Sequence, residues 1–90
     1  RCMVEKETEK LSDNMWKDLE QIAENVHNAW AQERLRQGWR YGSIYDRTDK
    51  THPSLIPYGE LTELEKQVDR ETALQVIRSL IRLGYRIEKE

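Results

Sequence analysis

Apolar side chains recur at helical spacing in only two stretches of this chain, and the residues between them follow no period. Met15, Leu19, Ile22, Val26 and Trp30 step by three and four, one face of a helix. Ser12 and Asp13 offer capping oxygens ahead of that run, and Gly38 is a natural left-handed stop. The spacing therefore predicts a helix over 13–37. The second stretch opens on Thr62-Glu63-Leu64-Glu65, a capping-box pattern in which Glu65 can reach back to the Thr62 amide. We expect a short helix from Glu63 to about Gln67, then a new start capped by Asp69. Ala73, Leu74, Val76, Ile77, Leu80, Ile81 and Leu83 follow, covering about half the helix circumference, and Gly84 ends it. Tyr85-Arg86-Ile87 reads as a short extended terminal piece, and residues 1–11 as a charged arm ahead of a single domain over 12–90.

Leu, Ile, Val and Phe supply only nineteen of the 90 residues, so the core must be small and marginally stable. The expected fold is mainly α, with two antiparallel amphipathic helices, a short helix and a long structured loop. Leu19, Ile22, Val26 and Trp30 should pack on Ala73, Ile77, Leu80 and Ile81. The loop, residues 39–61, holds Trp39, Tyr41, Tyr45, His52, Leu55, Ile56 and Tyr58. So aromatic a segment should lie on the helices.

Composition removes several function classes. Fifteen Lys and Arg against seventeen Asp and Glu give a net charge of -2, against a DNA- or RNA-binding coat or an anionic-membrane adhesin. Apolar runs of two or three residues exclude a membrane span and a secretory core. Cys2 alone forms neither an internal disulfide nor a thiolate zinc site. Those features favour the cytoplasm. The chain opens on Arg1 instead of Met, which reads as a fragment or a processed product.

No Ser-His-Asp, Cys-His, phosphate-loop or dinucleotide signature is present, so we expect no enzyme and no cofactor. Glu24-x-x-His27 has the carboxylate-histidine spacing of di-iron bundles, but that chemistry needs two such motifs and two further inward glutamates. We expect no metal site. His27, Trp30 and Arg34 share one side of the first helix, about 80°, 20° and 60° from Leu19. They form either a wall of a ligand site, with Arg34 as anion partner, or a structural network bonding loop carbonyls. Trp39-Arg40-Tyr41-Gly42 places an aromatic just beyond that helix, beside a glycine that permits close backbone approach. Residues 34–50 carry five basic and two acidic side chains. Positive charge among aromatics suits a base bearing phosphates; the alternative is that Trp39 plugs the core.

Read together, Glu24-Asn25-Val26-His27-Asn28-Ala29-Trp30-Ala31, Gly38-Trp39-Arg40-Tyr41-Gly42 and His52-Pro53-Ser54-Leu55-Ile56-Pro57-Tyr58 resemble the RyR repeat domain of the ryanodine receptor channels. Leu61, Glu65-Lys66, Asp69-Arg70 and Leu83-Gly84-Tyr85-Arg86-Ile87 continue the match in order, over about residues 17–88. The resemblance implies a helical module usually found as tandem copies related by pseudo-two-fold symmetry, here a stand-alone single copy of microbial type. It also implies a ligand-sensing module, with nucleotide-type ligands favoured. The candidate ligand residues are Trp39 for stacking, Arg34 and Arg40 for phosphate, and His27, Tyr41 and His52 for orientation. The competing expectation is a structural protein-interaction domain. With one copy present, a paired-repeat cleft would require a homodimer.

Overall fold

The computed structural model describes residues 10–90; most of the arm expected over 1–11 lies outside them. The first helix, α1, is Asp13–Arg36. Ser12 caps it, its hydroxyl accepting from the Met15 amide at 3.2 Å. Gly38, at φ 95°, turns the chain out, and the Trp39 amide bonds back to the Arg34 carbonyl at 2.9 Å. That left-handed turn is cheap only for glycine.

The second helix, α2, is a single element, Glu63–Arg82. The capping box forms as expected: the Thr62 hydroxyl accepts from the Glu65 amide at 3.2 Å, and Glu65 Oε1 accepts from the Thr62 amide at 3.0 Å. The break expected at Asp69 is absent. No glycine or proline interrupts 63–82, and a cap-competent side chain does not end a helix whose backbone bonds continue. Asp69 is instead a lateral residue of the second turn.

Between the helices the chain is ordered by two very short strands, which the aperiodic sequence did not reveal. Strand β1, Arg40–Tyr41, pairs in parallel with β2, Thr51–His52, Arg40 opposite Thr51 and Tyr41 opposite His52. The intervening turn is tied by Asp46, whose Oδ1 accepts from the amides of Thr48 and Asp49 at 2.9 and 3.1 Å. A 3₁₀ turn, Tyr58–Glu60, then leads into α2. Residues 85–87 pair with no strand among the described residues, and Lys89 bonds Asp18 of α1 at 2.9 Å.

The core falls into two parts. Leu11, Leu19, Ala73, Leu74 and Ile77 form one, with Met15, Ile22, Val26 and Ile81 packed against it. Ala23, Tyr58 and Leu61 form the other, with Ile56 beside them. Leu80 and Trp30, expected in the helix interface, lie elsewhere. Leu80 sits about 60° round the helix from Ile77, on the side away from Leu74, and is exposed. Trp30 packs on the loop's His52. Leu11, read as part of the arm, is buried.

Among the described residues no helix is long and apolar enough to cross a membrane.

Candidate functional site

The C-terminal half of α1 carries His27, Trp30 and Arg34 up one side, and the loop closes over them. His27 is buried, 4% exposed, and its Nε2 lies 2.7 Å from the Ile56 carbonyl oxygen. A carbonyl only accepts, so Nε2–H donates there. The loop-bonding alternative thus holds for His27. Its Nδ1 lies 3.8 Å from Asp69 Oδ2.

Arg34 takes a different role. Its guanidinium carbon stands 5.9 Å from the centre of the Trp30 ring and 5.1 Å from that of Trp39. Among the described residues no carboxylate forms an ion pair with it. The sequence leaves Trp39 as either a stacking platform for a ligand or a plug of the core. Its ring is stacked with Tyr45, centroids 5.7 Å apart, and it is half-buried. Tyr45 was not among the candidate residues; aromatic content alone marked it, and the tight turn built by Asp46 delivers it.

His52, on β2, sits at the centre of this cluster. Its ring meets Trp30 edge-on at 4.9 Å and Tyr45 at 5.3 Å, and lies 6.2 Å from Trp39. Its Nδ1 accepts from the Ser54 amide at 3.0 Å. Burial, then the nearby charge of Arg34, pushes its pKa below the ordinary imidazole value, which favours the neutral ring. Arg40 and Tyr41 stand apart from this group. Arg40 donates to the Asp49 carbonyl at 3.0 Å, bracing the turn, while Tyr41 is exposed on β1.

A groove of about 510 Å³ opens between α1, β2 and α2, bounded in part by His27, Trp30, His52, Glu65 and Asp69. It shares Trp30 and His52 with the aromatic cluster, so groove and guanidinium adjoin through one indole. By sequence Glu65 is a cap residue and Asp69 a helix start; only the packing of α2 beside α1 makes them groove residues. Glu65 is committed, one oxygen to the Ser54 hydroxyl and the other to Thr62. Those bonds, Ser54 foremost, hold its pKa below the usual carboxylate value.

The family model of the RyR domain matches residues 3–89 of this chain. The chain belongs to the RyR domain family. In this RyR domain the shared motifs have visible structural work. Gly38-Trp39-Arg40-Tyr41-Gly42 forms the helix stop and β1, with Gly42 facing Thr51 so closely that an added Cβ would lie 2.6 Å from the Thr51 Cβ. His52-Pro53-Ser54-Leu55-Ile56-Pro57-Tyr58 supplies β2, the partner carbonyl of His27 and the buried Tyr58.

Proposed function

We propose that this RyR domain is a non-enzymatic binding module for an anionic, nucleotide-like small molecule. Its planar ring lies against Trp30, and its anionic group meets Arg34. The observation that carries the reading is Arg34: a half-buried guanidinium over two indoles, with no carboxylate ion partner among the described residues. Such a group is favourably placed to donate charge-assisted hydrogen bonds to phosphate oxygens. The adjoining groove is within the size range of small-molecule sites. Trp39, Tyr45 and His52 hold the Arg34–Trp30 edge in place, and Arg40 braces the turn behind it. His27 and His52 each commit a ring nitrogen to backbone, which fits positioning better than catalysis. Isothermal titration with a panel of adenine and guanine nucleotides tests the reading. Binding that weakens at least tenfold in Arg34→Gln is expected; no heat at millimolar ligand, with folded protein, overturns it.

A second reading rests on α2. Leu64, Val68, Val76, Leu80 and Leu83 are all exposed and recur nearly every fourth residue. An apolar seam of this kind suits a protein partner, including a second copy of the chain. Light scattering at high micromolar concentration, with and without nucleotide, separates a homodimer from a monomer.

A further inference from the structure

The groove beside Trp30 holds a carboxylate that the fold leaves without a donor. Asp69 has a side chain 18% exposed and lines the groove alongside Trp30 and His27. Other polar groups on that wall are already engaged: both Glu65 oxygens, His52 Nδ1 and His27 Nε2. Among the described residues nothing donates a hydrogen bond to Asp69. The nearest ring nitrogen, His27 Nδ1, stands 3.8 Å away, beyond hydrogen-bond reach, and the Nε2–H of the same ring is spent on the Ile56 carbonyl. A half-buried carboxylate in that setting loses water without gaining donors. Burial accordingly raises the Asp69 pKa above the ordinary value, against the opposing effect of His27.

What the site lacks is N–H donors, and its shape says how they should be arranged. A carboxylate offers two coplanar oxygens, which match two parallel N–H bonds on the edge of a flat group. The indole of Trp30 bounds the same groove and offers a face for that flat group. Guanine has this edge: a ring N–H beside an exocyclic amino group. Adenine sets its amino group beside ring lone pairs, which a carboxylate repels. We infer that the groove reads a guanine-type base, with Asp69 accepting from the paired N–H edge while the ring packs on Trp30. Arg34, 5.9 Å from the centre of the same indole, then receives the phosphate. This rests on the anionic-ligand reading above and adds the base to it.

The test titrates the folded chain with GMP, IMP, AMP and guanosine. GMP should bind about 10- to 100-fold more tightly than AMP, the range for hydrogen bonds to a charged group. IMP, which keeps the ring N–H but lacks the exocyclic amino group, should fall between them. Asp69→Asn should bring GMP to the affinity of AMP and leave AMP unchanged. Arg34→Gln should weaken GMP and AMP equally and leave guanosine unchanged. Equal binding of GMP, IMP and AMP by the unaltered chain overturns the assignment to Asp69 while the anionic-ligand reading stands, and that comparison needs no variant to fold. No binding by any of the four overturns both.

Discussion

The Tyr58 hydroxyl donates to Glu20 Oε2 at 2.7 Å, joining the turn before α2 to the middle of α1 across 38 residues of sequence. Arg70 of α2 reaches the same carboxylate with two nitrogens, 2.7 Å to Oε1 and 3.1 Å to Oε2. One glutamate thus ties three elements. The Arg70 hydrogen bond, then that from Tyr58, lowers the Glu20 pKa from 4.5 to about 2. Burial, then the hydrogen bond to Glu20, pushes Tyr58 from 10.0 up to about 12.

Both shifts predict a pH dependence of stability. A depressed carboxylate stabilises the fold above its unfolded value and loses that contribution as pH falls through the folded one. The Tm advantage of the unaltered chain over Glu20→Gln should therefore be full above pH 4.5 and shrink toward pH 2. A raised phenol acts in the opposite sense, so Tyr58 stabilises fully below pH 10 and loses that contribution as pH rises toward 12. Thermal melts of unaltered, Glu20→Gln and Tyr58→Phe chains across pH 2–12 check both windows. A Tm gap for Glu20→Gln that stays constant from pH 6 to pH 2 contradicts the first.

Ile77 is buried in the larger core cluster with Leu19 and Leu74. Ile77→Asp places a carboxylate there without a partner and should cost at least about 3 kcal/mol. In so small a domain that should abolish the cooperative thermal transition, followed by circular dichroism at 222 nm. Leu80→Asp, three residues on at an exposed position, should leave it intact.

His27→Leu keeps the volume and removes the donor to the Ile56 carbonyl. That carbonyl would lose its partner beneath the loop, at a cost of about 1–3 kcal/mol. Urea unfolding followed by circular dichroism measures it as a lower midpoint with an unchanged slope.

Gly42→Ala tests the loop. The new methyl would overlap the Thr51 side chain, which is itself held by a bond from its hydroxyl to the Ile44 carbonyl at 2.8 Å. Strands β1 and β2 should separate, releasing Tyr45 from Trp39. Near-ultraviolet circular dichroism should lose aromatic signal while the helical signal at 222 nm persists.

Local chemistry made much of this molecule legible in advance. Ser12, the Thr62–Glu65 box and Gly38 act through bonds within four residues, and the apolar spacing through helix geometry, so both helices could be placed from the string of residues. The RyR motifs were readable for the same reason: they are contiguous. What tertiary structure decided depends on backbone or side chains far apart in sequence. Strand pairing needs Arg40 opposite Thr51, which no period announces. Leu80 faces outward because the packing angle of α2 centres on Ile77, a choice that a half-apolar circumference leaves open. Trp39 became a loop anchor once Asp46 turned Tyr45 onto it, and Asp69 became a groove residue once α2 continued through it instead of starting there. A cap or a stripe is set by neighbours along the chain, whereas a site is set by which surfaces meet, and that depends on burial summed over the whole fold.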